Sequence, residues 1–425
     1  MAYRQHKFRL STWAIPALYA AAAIVAGLTF PRFESQLFPG LVNPSNVSVT
    51  ITVYASVASG MLVLTSVVFS LIFVMVQFSA TAYSPRLALW VARDRVISHS
   101  LGVFIATFLY ALGALGGVSR GGSEMVPYAS TLVVIGLVLA SMGMFIALVH
   151  RITFLQVNHM LIFTGDQGRK VISTIYPSLI SEIAPTATED FRALPQSQML
   201  IHHGRPRSVQ AVDVAALVKL AQLADGIIEM VAAVGDTIVE STPILHILGA
   251  HRPVDERKLR EAIDLGEERT FEQDPKYAIR LLVDIAIRAL SPAINDPTTA
   301  VQALDQIEDL LLRLGQRDLE IGRYNDRNGA LRLVMPFPTW DDIVRLAFDE
   351  IGFYGATSVQ VMRRMNALIA DLTRAVPRER RVTLEYWNAR LKSTIARSFA
   401  DQEERLDASR EDRQGIGVPR QHSSV

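Results

Sequence analysis

The sequence contains no cysteine and few charged residues. Without cysteine the 425-residue chain has no disulfides, thiolate metal sites or cysteine nucleophiles. Charged residues make up only 20% of the chain, and a net charge of +1 gives no electrostatic basis for binding nucleic acid. Half of the residues are hydrophobic, which is a high share for a soluble protein. We therefore expect no nucleic-acid partner and turn to the apolar residues.

The apolar residues are concentrated in four blocks near the N-terminus. The blocks are Thr12–Phe30, Val57–Phe78, Ser100–Val118 and Tyr128–Val149, and none contains a charge. As helices of about 18–22 residues they would be roughly 27–33 Å long, enough to cross a hydrocarbon core. The first block has no small-residue cleavage site behind it, which favours a retained span over a signal peptide. The sequence thus predicts an integral, multi-pass membrane protein with residues 1–150 as a four-helix transmembrane domain and the lipid bilayer as its partner.

Basic residues beside the blocks predict the orientation. Six lie on one side and two on the other: Arg4, Lys7, Arg9, Arg86, Arg93 and Arg95 against Arg32 and Arg120. Because loops rich in Lys and Arg stay in the cytoplasm, we expect both termini to be cytoplasmic.

The second apolar block carries a polar stripe. Its members recur at helical spacing on one face: Ser56, Ser59, Ser66, Ser70 and Gln77. Because polar groups facing lipid are costly, the stripe should face protein or water. A packing seam between helices is the favoured interpretation, and the lining of a permeation path is the alternative. The third and fourth blocks carry small residues at similar spacing, typical of closely packed helices: Gly102, Ala106, Gly113 and Gly117, and Gly136, Ala140, Gly143 and Ala147.

The rest of the chain is predicted to be a cytoplasmic α+β region. We expect a helical connector at 151–198, a small β-rich unit at 199–250, a helical domain at 251–403 and a disordered tail at 404–425. The pattern V-G-D-x-I-V-x-x-x-P-I-L from Val234 to Leu245 resembles the small β-barrels of the biotinyl and lipoyl type and the C-terminal regulatory modules of potassium-transport proteins. No Met-Lys-Met turn accompanies it, so we expect no carrier role and no cofactor.

The segment RALSPAINDPTTAVQALD predicts a bend between two helices. Ser291-Pro292 ends the first helix, because the residue before a proline avoids the α region. Asp296-Pro297 opens the second, as Asp274-Pro275 opens the first, with the acid as N-cap and proline in the first turn. We interpret the segment as an αα elbow that includes Asn295. No histidine, lysine or nucleophile accompanies these carboxylates, so we expect no catalytic, cofactor-binding or metal-binding residues.

Three motifs together resemble a known family. They are Ser84-Pro85-Arg86-Leu87, Arg269-Thr270 with Gln273-Asp274, and Leu290-Ser291-Pro292-x-Ile294-Asn295-Asp296-Pro297. They are similar to those of the bacterial predicted membrane proteins of domain-of-unknown-function family 2254. The resemblance implies a protein of the bacterial inner membrane and implies no activity, substrate or catalytic residue.

Two classes of function fit this sequence. The first is a homo-oligomeric, channel-like or transport protein whose cytoplasmic domain regulates it, with a small ion or an unidentified cytoplasmic ligand as further partner. The second is a non-transporting membrane scaffold or signalling protein whose cytoplasmic domain binds a protein. An enzyme ranks third because no catalytic constellation is present. An alternating-access transporter usually has inverted repeats and broken helices; none is evident, so a channel-like oligomer is preferred.

Overall fold

The computed structural model describes residues 14–37, 47–82, 94–120, 128–153, 157–179 and 191–417. The chain divides into two compact units, Met1–Gln156 and Val157–Val425.

The first unit contains four long apolar helices. They are α1 (Ala14–Leu37), α2 (Val47–Ala82), α3 (Arg95–Arg120) and α4 (Tyr128–Thr153). Each includes a stretch long and apolar enough to cross a membrane, which confirms the four predicted membrane helices. The observed helices begin or end several residues beyond the apolar blocks, because capping and packing rather than hydropathy set their ends.

Helix α3 is the central helix of the first unit. Within its span 56% of the residues are buried, against 17% in each of the other three spans. Its glycines allow close approach to α1: a Cβ on Gly113 would come within 2.9 Å of the carbonyl carbon of Gly27. A Cβ on Gly102 would come within 2.7 Å of the Tyr19 ring. Glycine is therefore required at these two positions of α3 by packing.

The second unit contains two sheets built from short strands. The strands are β1 (Gln196–Ile201), β2 (Arg207–Val212), β3 (Ile227–Met230), β4 (Thr237–Ile238), β5 (Pro243–Leu248), β6 (Ile263–Gly266), β7 (Arg323–Asn325) and β8 (Leu331–Val334). One sheet has the order β1-β5-β3-β8-β7, and the other has the order β4-β2-β6. Neither closes into a barrel, so the β-barrel-like form expected for residues 199–250 is wrong.

Long-range pairing explains why no barrel forms. Strand β8 pairs in parallel with β3, placing Ile228 opposite Leu333 in the core. Strand β6 pairs with β2. The pairing strands β6, β7 and β8 lie in the part of the chain predicted to be only helical, and at three or four residues each they are too short to show a clear alternating pattern.

Nine helices are described in the second unit. They are α5 (Val157–Ile175), α6 (Val214–Ala224), α7 (Glu256–Glu261), α8 (Pro275–Ala289), α9 (Pro297–Gly315), α10 (Trp340–Tyr354), α11 (Val359–Ala375), α12 (Arg378–Ser398) and α13 (Gln402–Ala408). Apolar faces at helical spacing pack α8 and α9 into a core with α5, α10 and α11. Helix α10 begins at a capping box formed by Thr339 and Asp342.

The chain between residues 402 and 417 is ordered, although the sequence predicts disorder from residue 404. Helix α13 lies against α11, where the Asn366 side-chain amide donates to the Ala408 carbonyl oxygen at 3.1 Å. The Arg363 guanidinium donates to the Asp407 carbonyl oxygen at 2.7 Å. Charged composition suggested a solvated tail, but here the charges pair with α11. Residues 418–425 lie outside the described residues.

Candidate functional site

The polar stripe of α2 lies on the exposed side of the first unit. Ser59, Ser66, Ser70 and Gln77 are all exposed. Two further residues, Ser48 and Thr52, extend the same face toward the start of the helix and are exposed as well. The opposite side of α2 packs into the unit through Tyr54, Met61, Val68 and Ile72. Leu64 packs against the same cluster as Ile72, and exposed apolar positions of α2 that lie away from the stripe include Val53 and Leu71.

Two hydroxyl groups of this stripe bond within their own helix. Ser66 donates to the Leu62 carbonyl oxygen at 3.0 Å, and Thr52 donates to the Ser48 carbonyl oxygen at 2.8 Å. Ser66 also lines a groove of about 520 Å³ together with Pro16 of α1 and Leu101 of α3.

Polar contacts between membrane helices are found at the α3–α4 interface. Thr107 and Ser141 are both buried, with their hydroxyl oxygens 2.9 Å apart. The Ser100 hydroxyl donates to the Met144 carbonyl oxygen at 3.3 Å. The interhelical polar seam that these contacts form is thus on helices other than α2.

A buried carboxylate near one end of the first unit was missed by the sequence analysis. Glu34 is 3% exposed and accepts hydrogen bonds from the Ser130 N–H at 3.0 Å and the Ser130 hydroxyl at 2.6 Å. The Ala129 N–H donates to its other oxygen. Glu34 therefore caps the N-terminus of α4, where a negative charge is favoured. The available signal was an acid four residues after Phe30, the end of the first apolar block.

Hydroxyl groups lie close to this cap. The hydroxyls of Tyr54 on α2 and Thr131 on α4 are 2.9 Å apart. Together with Glu34 and Ser130 they form a polar group joining α1, α2 and α4. An acid in a membrane helix is a functional candidate, but the hydrogen bonds that the structure gives Glu34 all come from the first turn of α4, which is a structural role.

The elbow in the second unit is a short exposed turn. Asn295 has φ +48°, a left-handed conformation that asparagine tolerates better than most residues. The Ser291 hydroxyl donates to the Arg288 carbonyl oxygen at 2.7 Å, which closes the end of α8. Pro292 and Asn295 are exposed, and Pro297 is the first residue of α9.

Asp296 lies at the N-terminus of α9. Its carboxylate accepts from the Thr299 N–H at 3.1 Å and from the Thr299 hydroxyl at 2.6 Å. Within the second unit, α5 and α9 run parallel, since Arg169 pairs with Asp309 at 2.7 Å and Arg317 donates to the Tyr176 carbonyl oxygen. The elbow consequently lies at the end of the unit at which α5 begins.

Asp274 lies at the N-terminus of α8 and is fully buried. One oxygen accepts from the Arg269 guanidinium, at 2.8 and 2.5 Å, and the other accepts from the Lys276 N–H at 3.1 Å. Burial raises the pKa of Asp274, while Arg269 favours the charged form. Gln273 next to it bonds to both backbone groups of Val212 on β2. The motif Arg269-Thr270 with Gln273-Asp274 thus joins α8 to the smaller sheet.

The chemistry available at these sites is limited. Within the ranges that the structure describes, no group of three or more histidine, aspartate or glutamate side chains is placed to hold a metal ion. The elbow carboxylate bonds to its own helix, and the Asp274 carboxylate is occupied by Arg269 and by a cap. Both are arrangements that stabilise helices.

Comparison with known proteins identifies the class and then the family. The four apolar helices define an integral membrane protein. The family model described as "Predicted membrane protein (DUF2254)" matches residues 9–371, and the chain belongs to this family. The resemblance inferred from the three motifs is confirmed.

Relatives and solved structures add little about function. The chain is 25% identical over 411 residues to an uncharacterized protein of Mycobacterium bovis and, to the same extent, to an uncharacterized protein of Mycobacterium tuberculosis. Each match covers 93% of this chain and 78% of the relative. No solved structure matches.

Proposed function

We propose that this protein is a homo-oligomeric, channel-like protein of the bacterial inner membrane. The observation that carries the proposal is the exposed polar face of α2, which runs from Ser48 to Gln77 on the side opposite the packed residues. Single hydroxyls that bond to their own helix, such as Ser66, are tolerated in lipid. A line of seven polar residues along the whole helix is better explained by an adjoining water path or a second copy of the chain.

The outward surface of α4 supports assembly of several copies. Gly136, Ala140, Gly143 and Ala147 form its small-residue face, and all four are exposed. A Cβ on Gly136 or Gly143 would meet no described atom within 4 Å. Small residues four apart allow two membrane helices to approach closely. In a homo-oligomer this face would pack against a neighbouring copy.

The distribution of basic residues supports an orientation of the protein in the membrane. The six-to-two distribution of basic residues favours cytoplasmic termini, so we propose that the second unit lies in the cytoplasm and regulates the membrane unit. A small ion is the proposed transported species, and no enzymatic step is part of the proposal.

Substituted-cysteine accessibility tests this function, since the natural chain has no cysteine. Single cysteines would replace Ser59, Ser66 and Ser70, with Val53→Cys and Leu71→Cys as controls at exposed apolar positions of the same helix that lie away from the stripe. The protein would be reconstituted in liposomes, and ion flux would be measured before and after a small water-soluble thiol reagent is added. We expect modification and altered flux at the serine positions only. Equal reactivity of both sets, or absence of ion flux from the unmodified protein, would contradict the channel.

The alternative is a membrane scaffold or signalling protein whose second unit binds another protein. Exposed apolar side chains of the second unit favour it, in particular Phe353 and Tyr354 at the end of α10, which are 75% and 51% exposed. In that case the α2 stripe would form a dry contact between copies. Cysteines at Ser66 or Ser70 would then form intermolecular disulfides but remain inaccessible to the water-soluble reagent, and no flux would be measured.

A further inference from the structure

A cleft opens between α10, α11 and α12 of the second unit. Its volume is about 460 Å³, within the range of roughly 300–1,000 Å³ typical of small-molecule sites. Five almost completely buried apolar side chains line it: Phe348, Met365, Ile369, Trp387 and Leu391. Phe353 stands beside them and is largely exposed. The cleft therefore offers an apolar interior that solvent can reach.

A glycine inside α10 keeps this cleft open. Gly352 lies within the helix, where glycine is less favourable than alanine. A Cβ at this position would meet only the terminal methyl of Met365, at 3.6 Å, which is an ordinary contact. The backbone of Gly352 has no positive φ. Neither close packing nor conformation requires glycine here, so the consequence of its missing side chain is space in the cleft.

The rim of the cleft carries one positive charge, that of Arg397, with no ion-pair partner among the residues that the structure describes. Asp349 pairs with Arg390 at 2.6 Å, and the Arg390 guanidinium lies 4.9 Å from the centre of the Trp387 ring. Arg397 donates to the Ser393 carbonyl oxygen at 3.3 Å and forms no ion pair with any residue in the described ranges. Because Asp349 neutralises Arg390, Arg397 determines the net charge of the rim.

We propose that the cleft binds a long-chain carboxylate. Its apolar chain lies against Phe348, Met365 and Trp387, and its carboxylate pairs with Arg397 in a charge-assisted hydrogen bond. The site is a cleft of about 460 Å³ between three helices rather than a wide, flat apolar surface, so its shape suits a small amphiphile. This binding site is independent of the channel activity proposed above.

Photoaffinity labelling of the full-length protein in phosphatidylcholine liposomes tests the proposal. The probe is palmitate carrying a diazirine on its chain, and peptide mass spectrometry locates the labelled residues. We expect label in residues 348–356, at the end of α10 and just after it, or in residues 387–398 of α12, reduced severalfold by excess palmitate and much less by hexadecanol. Label confined to the four membrane helices would show partitioning into lipid only and would overturn the proposal. Equal competition by hexadecanol would overturn the role of the carboxylate.

Two variants and one control sharpen the test. Gly352→Leu fills the cleft, and Arg397→Gln removes the charge from an exposed side chain without affecting the core. Each should reduce labelling of α10 and α12 severalfold. Ala389→Leu adds the same side chain at an exposed position of α12 outside the cleft and should leave labelling unchanged. If Gly352→Leu lowers the melting temperature, the test rests on Arg397→Gln. Unchanged labelling in that variant would contradict the proposed binding site.

Discussion

Asp274 and Asp296 occupy equivalent positions in successive helices, each directly before a proline that is the first helical residue, yet only Asp274 is fully buried. The Asp274 carboxylate also pairs with Arg269, whereas the hydrogen bonds that the structure gives the Asp296 carboxylate come from Thr299. The same Asp-Pro pattern therefore begins one helix with a buried aspartate and the next helix with a partly exposed one. Substitutions of the two aspartates should therefore change the stability of the protein by different amounts.

For Asp296 we expect the behaviour of an ordinary helix cap. Asp296→Ala should lower the free energy of unfolding by about 0.5–2 kcal/mol, while Asp296→Asn and Asp296→Ser should stay near the natural protein. Chemical denaturation of the purified protein in detergent measures this. If Asp296→Asn kept full stability yet reproduced the cellular phenotype of gene deletion, the elbow would have a functional role.

For Asp274 we expect substitution to lower the free energy of unfolding by more than it does at Asp296. Asp274→Ala removes a cap and leaves the Arg269 guanidinium without its partner, a change that costs about 3 kcal/mol or more for a buried pair. Denaturation under the same conditions as for Asp296 makes the comparison direct. A loss no greater than that of Asp296→Ala would show that the ion pair contributes little.

The contact between α1 and α3 predicts a position-specific effect of added volume. Gly113→Val places a side chain against the backbone of Gly27, and overpacking of this kind costs about 1–3 kcal/mol. Gly116→Val is the matched control, three residues along the same helix, where a Cβ would meet nothing within 4 Å. Thermal unfolding in detergent should show a lower melting temperature for the first variant only. Equal tolerance would mean that the close approach is not maintained in the membrane.

Local signals in the sequence predicted the membrane helices and the two helix starts at Asp274-Pro275 and Asp296-Pro297. Uncharged blocks and Asp-Pro pairs act within one helix or one turn, so they can be recognised without knowing the fold. Contacts between distant residues could not be recognised in this way. Glu34 caps a helix 95 residues further along the chain, and β8 pairs with a strand more than 100 residues before it.

For the candidate sites, too, local features could be predicted from the sequence and contacts between distant residues could not. The spacing of the polar residues on α2 could be recognised in the sequence. Their exposure could not, because it depends on the opposite face of α2 being the one that packs against α3. The cleft beside Gly352 could not be predicted from the sequence, because its walls come from three helices whose packing depends on tertiary structure. An isolated glycine in a helical pattern was its only local sign.

Membrane topology can be tested at two positions that lie outside the described residues. We expect Ser123 to be outside the cell and Glu189 to be in the cytoplasm, because basic residues favour the cytoplasmic side. Single cysteines at these positions would be treated with a membrane-impermeant thiol reagent on intact cells. Labelling at position 123 alone is expected, and labelling at position 189 alone would reverse the orientation.

The C-terminal segment, residues 409–417, should depend on one aspartate of α11. Asp371 is 9% exposed and accepts from the Arg413 guanidinium at 2.7 and 2.9 Å. Arg374 also donates to it, and Glu308 faces it from α9. The bonds from Arg413 and Arg374 lower the pKa of Asp371 to about 2. Because the pKa falls on folding, the stabilisation is present above the ordinary pKa of 3.8 and is lost as the pH falls toward 2.

We therefore expect the segment to stay in place between about pH 5 and 8 and to be held less tightly at neutral pH in Asp371→Asn. Hydrogen exchange of residues 409–417, corrected for the intrinsic effect of pH, would measure this. A hydrogen bond to a charged group is worth about 1.5 kcal/mol at the low end of its range, so exchange should accelerate by roughly tenfold. Arg413→Gln should have the same effect, and Asp349→Asn, which removes an exposed ion pair elsewhere, should have none. Unchanged protection in Asp371→Asn would show that α13 alone holds the segment against α11.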